Sequence, residues 1–261
     1  MRKQGSLATL LLLAVSAAAC GGDGESKAEA AAASPSTVAA APVPAPPPAA
    51  PFTVPDTINP TEFRPHVTHP LFPLYSLRRL EFSGTERDTE TGKTVKTRTV
   101  KRLLHKTEVV AGVTVAVLEV KDYEDGELVE VTEDYFAEHR NGSVWSFGER
   151  VSDYENGKVV GHEGQWLAGQ GNNKPGLYLP TRPMVGQEFE PERAPGVAEV
   201  RSKVVQLDAE VTVPAGKYTG CLKTEDFSVL DKVTELSFYC PGAGLVRSEG
   251  PHGTAQLVRI S

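Results

Sequence analysis

Most of the signatures that would assign this 261-residue chain to a class of enzyme are missing from it. It has no G-x-S-x-G nucleophile elbow, no G-x-x-x-x-G-K-[ST] phosphate loop and no H-E-x-x-H zinc pair. Outside its first twenty residues no apolar run approaches the ~20 residues that cross a bilayer as a helix. No stretch beyond that point sustains a 3.6-residue apolar period either, which argues against a helical domain. Positive charge is also short. The formal net charge is −7, and removal of Arg2 and Lys3 with a leader takes it to −9. A surface that acidic repels phosphate backbones and anionic headgroups, so nucleic acid is excluded as a partner. Basic clusters do occur, but in the example of Lys96 to Arg102 they alternate with Thr and Val, which reads as the solvent face of a strand.

What is present begins with an export signal. Residues 1–19 combine a basic start (Arg2, Lys3), a short apolar run (Leu7–Val15) and three alanines, followed by Cys20. The segment resembles a bacterial lipobox, whose cysteine takes a diacylglyceryl thioether and becomes the mature N-terminus. It departs from that pattern at Ala17, where Leu is usual. Ordinary cleavage after Ala17–Ala19 is the alternative and would leave a soluble protein. With lipid on Cys20, burial at ~0.8 kcal/mol per methylene makes attachment effectively permanent. Gly21 after the cysteine resembles the outer-membrane sorting pattern of diderm bacteria, so the expected address is the cell envelope. Residues 20–59 then form a tether rich in Gly, Ala, Ser and Pro, ending in PVPAPPPAAP near Pro51. It holds almost nothing to bury, so disorder is expected, with extended polyproline II toward its end.

Residues 60–261 read as one all-β domain. Thr91-Gly92, Asp125-Gly126, Asn141-Gly142 and Asn156-Gly157 separate runs of alternating polarity, and such dipeptides suit the two positive φ angles of primed hairpin turns. The expectation is a large curved antiparallel meander, half-barrel-like, as one unit or two related halves. A weak internal echo favours halves: Val110-Ala111-Gly112 leads to Asp134-Tyr135-Phe136 and Gly142–Trp145, much as Pro214-Ala215-Gly216 leads to Ser237-Phe238-Tyr239 and Gly244-Leu245-Val246. Cys221 and Cys240 flank a hairpin. If its turn centres between Leu230 and Asp231 the two are directly opposed and, after some closing, fit a disulfide in an oxidising compartment; two buried thiols are the alternative.

From Thr107 to Ser248 the chain resembles a group of uncharacterised secreted bacterial lipoproteins. The likeness rests on DYFAEHRNGSVWSFGE (134–149), YENGKVVGHEGQWLAG (154–169), PGLYLP (175–180), VTVPAGKY (211–218) and FYCPGAGLVRSE (238–249). Cys240 stands where that group usually has Ala. The resemblance implies an architecture, similar to the half-barrel of lipoprotein carriers, and implies no activity.

Candidate chemistry is sparse. His66 and His69 form H-x-x-H between Pro65 and Pro70, which argues against a helix that would join them on a metal, and no metal or cofactor is expected. Gly169-Gln170-Gly171 reads as a loop. Asp122, Glu124, Asp125 and Glu127 surround a hairpin tip and carry no calcium loop. His162 and Glu163 beside Trp166 form a potential acid–base pair or the polar face of a strand. Trp145, Phe147, Trp166 and Tyr178 either fill a core or floor a pocket for an apolar ligand. The leading expectation is a non-enzymatic binding or carrier module for an apolar ligand or protein partner. The alternatives are a scaffold lipoprotein without a small-molecule site, and a hydrolase built on His162 and Glu163.

Overall fold

Turn chemistry sets the frame. The computed structural model describes residues 58–77, 79–88 and 92–261, so the signal segment, Cys20 and the tether up to residue 57 lie outside the described residues. Asp125-Gly126 (φ 46° and 94°) and Asn156-Gly157 (51° and 73°) each take two positive φ angles and close hairpins. Asn141-Gly142 differs. Only Gly142 is positive, and the Asn141 side chain instead accepts the Ser143 N–H at 2.9 Å. Its side-chain turn substitutes for the second positive φ. Thr91 lies outside the described residues, while Gly92 has φ 68°.

The strands are β1 (Phe63–Arg64), β2 (Arg79–Arg87), β3 (Thr94–Val110), β4 (Val113–Glu124) and β5 (Glu127–His139). Then come β6 (Val144–Glu155), β7 (Lys158–Gly161), β8 (Trp166–Leu167), β9 (Gly176–Leu179) and β10 (Glu188–Ala194). The last five are β11 (Ala198–Val213), β12 (Gly216–Ser228), β13 (Thr234–Cys240), β14 (Gly244–Glu249) and β15 (Gly253–Ile260). Among the described residues the one helical element is the short 3₁₀ turn Pro60–Glu62. All fifteen strands join one antiparallel sheet, ordered β10-β11-β12-β13-β14-β15-β2-β3-β4-β5-β6-β7. β1 adds to β5, and β8 and β9 add to β6.

The sheet curls without closing. β9, paired to β6, reaches β10 through the isolated bridge Lys174↔Arg193, and no continuous ladder joins them among the described residues. Two glycines permit the close approaches this needs. Gly148 in β6 has φ 113°, and a Cβ there would stand 2.2 Å from the Trp166 carbonyl oxygen of β8. A Cβ on Gly176 would stand 2.1 Å from the carbonyl oxygen of Pro191 in β10.

The echo has a structural counterpart in element order. A long strand, an Ala-Gly turn and its hairpin partner recur as β3–β4 and as β11–β12, each followed by two more antiparallel strands. The two turns differ in detail. Ala111 and Gly112 have φ 49° and 79°, whereas at the second turn the positive φ is at Gly216 (146°) and Ala215 has none. In the β12–β13 hairpin Leu222 pairs with Tyr239 and Phe227 with Thr234, which places Cys221 opposite Cys240. The two are joined in a disulfide with a Cα–Cα distance of 4.2 Å.

Candidate functional site

Register carries one face of the sheet around the curl. Glu124 lies opposite Thr97, Thr97 opposite Gly84, Gly84 opposite Ala255, and Ala255 opposite Ser248. The row continues from Ser248 to Ser237, Thr224 and Val204. Directly opposed residues share a face, and alternate residues of each strand do too. Asp122 and Val120 therefore join Glu124, Phe82 and Glu86 flank Gly84, and Glu235 and Tyr239 flank Ser237. This face encloses a cavity of about 60 Å³ lined by Phe82, Glu86, Thr97, Thr99, Lys101, Val120, Asp122, Glu124, Tyr178, Glu235, Ser237 and Tyr239, among others. At ~10–15 Å³ per water it has room for a few waters or a thin ligand. Strands as far apart in the sheet as β4 and β13 contribute to one lining, which is what makes this the inner face.

That lining is rich in acid. Glu86 and Glu235 are 5% and 2% exposed, and neither has a hydrogen bond or ion pair among the described residues. Burial, with Glu124, Asp122 and Asp88 nearby, pushes Glu86 up to about 7. Burial, with Asp226 and Glu86 nearby, pushes Glu235 up to about 8. Glu124 and Asp122 are raised mainly by burial as well, although the Thr99 hydroxyl donates to Asp122 and opposes the shift. Burial also raises Asp226, against hydrogen bonds from Ser202, Ser237 and Thr224. Lys101 is the one basic side chain on the lining among the described residues, and its ammonium sits 5.8 Å from the Phe82 ring centroid. The Tyr178 and Tyr239 phenols hydrogen-bond each other, and burial pushes both up.

A second cavity of about 20 Å³ shares Lys101 and Tyr178 with the first, and adds Asp134, Glu149, Glu192, Phe136, Ser146 and Trp166. Burial, with Asp134 and Asp226 facing it, raises Glu192. The Trp166 indole N–H has no acceptor among the described residues. Taken together, the inner face places seven carboxyls around one ammonium (Lys101) on the two linings.

No family model and no curated protein matches the chain. Among solved structures it is similar to a "putative lipoprotein" from Parabacteroides distasonis, at 13% identity and a TM-score of 0.39, over 73% of this chain and 98% of that one.

The four aromatics singled out in the sequence separate. Trp145 and Phe147 lie on the opposite face of β6 from Ser146, buried, with Phe63 of β1 edge-on at 5.7 and 5.4 Å. The Trp145 indole donates to Ser143 Oγ at 2.9 Å. These two are core and line neither cavity. Trp166 and Tyr178 do face the inner side, Trp166 at the second cavity and Tyr178 at both. His162 and Glu163 are exposed and line neither cavity. His162 Nδ1 donates to the Val151 carbonyl at 2.6 Å, and the Glu163 N–H donates to Asp153 at 2.9 Å. His66 lies against Tyr75, while buried His69 accepts the Leu71 N–H and donates to the Pro180 carbonyl, so the H-x-x-H pair has separate tasks.

The residues missed in the sequence are the inward acids. Asp122 and Glu124 read there as the flank of a hairpin tip, yet only Asp125-Gly126 forms the tip and the two acids point inward. Lys101 likewise sat in a stretch read as solvent-facing. Lys96, Arg98 and Arg102 are indeed exposed, and Lys101, out of phase with them, turns in. The available signal was the i, i+2 repetition of polar groups in Asp122/Glu124, Thr132/Asp134, Thr224/Asp226/Ser228 and Glu235/Ser237.

Proposed function

We propose that this chain is a lipid-anchored envelope protein, tethered through Cys20, whose β domain is a non-enzymatic binding module that takes a ligand into the inner face of its curled sheet. The observation that carries the proposal is the pair Glu86 and Glu235: two carboxyls more than nine-tenths buried, without partners among the described residues, on the wall of a cavity. Burying a carboxyl without a partner costs free energy even when it takes up a proton, and strongly perturbed groups of this kind in a cleft mark a candidate functional site. The sequence pointed to an apolar ligand, and the walls offer apolar faces at Phe82, Val120, Tyr178, Tyr239 and Leu245 with acids set among them, which suits a mostly apolar ligand that carries a polar part. The scaffold reading draws its support from the small size of the cavity and from edge strand β7, where Val159 and Val160 are 49% and 58% exposed.

The test is to isolate the full chain from the envelope in mild detergent, denature it, and compare released small molecules with a mock preparation. A compound released in near-stoichiometric amount supports the binding module. Nothing released by repeated preparations removes that reading and leaves the scaffold.

A further inference from the structure

Glu86 and Glu235 stand at one level of the sheet with no side chain between them. Gly253 pairs with Glu86, and the Gly250 N–H donates to the Gly253 carbonyl at 2.9 Å. A Cβ on Gly250 would stand 2.8 Å from Cγ and 3.0 Å from Oε1 of Glu235. The row Glu235–Gly250–Gly253–Glu86 thus leaves its middle open, beside the turn that joins β14 to β15. Two residues further along each strand the same face carries Ser237, Ser248 and Thr97, and two further again Tyr239, Phe82, Thr99 and Asp122. Val120 and Lys101 come next. Tyr178 closes on Tyr239 there, with Phe72 and Phe136 packed against it at 4.8 and 4.9 Å. The wall therefore passes from carboxyls through hydroxyls to aromatic rings along one line.

Little net charge faces a ligand on that line. Asp122 accepts from the Thr99 hydroxyl and has the Lys101 ammonium near enough to favour its carboxylate. Glu86, with Glu124, Asp122 and Asp88 around it, and Glu235, with Asp226 and Glu86 around it, are raised to about 7 and about 8 and so hold protons in slightly acid solution. A protonated carboxyl is neutral, with one O–H to donate and a second oxygen to accept. A cation would have to strip those protons, and an anion would meet Asp122 and Glu124 in a low-dielectric space. A neutral head meets neither cost. The cavity, about 60 Å³ and walled by Phe82, Val120, Tyr178, Tyr239 and Leu245, suits a thin chain behind that head.

We infer that the inner cavity takes a single aliphatic chain with an uncharged hydrogen-bonding head, the head set between Glu86 and Glu235 and the chain running past Phe82 toward Tyr178 and Tyr239. This rests on the binding-module reading above and names its ligand class. The head oxygen accepts from the two carboxyl O–H groups, so the bound state holds their protons more firmly than the empty one. Binding therefore takes up protons where the acids are partly ionised, and it weakens as pH rises from about 6 to about 9.

Calorimetric titration of the full chain in a non-ionic detergent with 1-octanol, octanoate and octylamine, probes of one chain length and three head charges, tests this. The expected order at about pH 6 is 1-octanol tightest, by roughly tenfold over either ion, with the 1-octanol affinity falling toward about pH 9. Glu86→Gln and Glu235→Gln are each expected to weaken 1-octanol by roughly threefold to tenfold, because an amide N–H is a longer, weaker donor than a carboxylic O–H, and to flatten the pH dependence. Glu163→Gln, on the exposed surface, leaves both unchanged. The interior glutamines are neutral near-isosteres, so variants that melt at or above the wild-type temperature yet bind poorly have lost the site and not the fold. Octylamine or octanoate binding more tightly than 1-octanol, or 1-octanol affinity unchanged in both glutamine variants, overturns the inference. If none of the three binds while the isolated chain still releases a bound compound on denaturation, the ligand class falls and the binding module stands. If nothing is released either, both fall.

Discussion

Glu235 shows how a single side chain ties fold to function. Its folded pKa of about 8 and that of Glu86, about 7, lie above the ordinary 4.5. Between those values the folded chain holds more protons than the unfolded chain, so stability falls as pH rises from about 4.5 to about 8 and levels off above. Glu124, Asp122, Asp226 and Glu192, all raised, push the same way. Glu62, lowered by its hydrogen bond with His139, and Glu81, lowered by Arg259 and Arg79, act with the opposite sign, but their stabilisation is lost only as pH drops below the ordinary value. The ligand-free chain is therefore expected to melt at a lower temperature near pH 8 than near pH 5.5, and Glu235→Gln to narrow that gap. Thermal scans across pH check both. A melting temperature that rises over this range would mean the inner carboxyls are already paired. Gly148 gives a second prediction at this scale. Gly148→Ala sets a Cβ 2.2 Å from the Trp166 carbonyl at φ 113°, and is expected to cost ~2–3 kcal/mol or more by denaturant titration.

The elements were the most legible part of the chain. Asp125-Gly126 and Asn156-Gly157 mark turns because few other residue pairs tolerate two positive φ angles, and both turns form. The short strands were not legible. β1 and β8 have two residues each and exist because Phe63 packs on Trp145 and Phe147, and because Gly148 leaves room for β8. No periodicity is readable in two residues. The β12–β13 hairpin was legible in register: a turn around Leu230 and Asp231 sets Cys221 opposite Cys240, and the ladder keeps that alignment. With a sequence separation of 19, the bridge restrains the unfolded chain by ~3 kcal/mol in the loop-entropy account. The double variant Cys221→Ala/Cys240→Ala is expected to lose about that much stability, with an unchanged β circular-dichroism spectrum, because six ladder pairs still hold the register. An unchanged denaturation midpoint would contradict it.

At the scale of the whole molecule, what the sequence concealed was which face of the sheet is the inside. Strand alternation assigns residues to two faces but does not say which one is enclosed. In β13 the apolar Leu236 and Phe238 alternate with Glu235, Ser237 and Tyr239, and the ordinary expectation turns the apolar set inward. The sheet instead curls around the polar set, and the first segment of the domain helps cover the other side through Phe63. The aromatics that looked like a pocket floor divided for the same reason: Trp145 and Phe147 went to the covered outer side, and Trp166 and Tyr178 to the inside. A curled sheet that buries carboxyls beside its aliphatic core gives up stability at those positions, and a resident ligand would restore it. Native mass spectrometry of the full chain taken from the envelope, beside the Glu86→Gln/Glu235→Gln double variant, tests this most directly. A bound mass on the wild-type chain that is absent from the variant is the predicted result. A clean, ligand-free mass for both proteins would contradict the account.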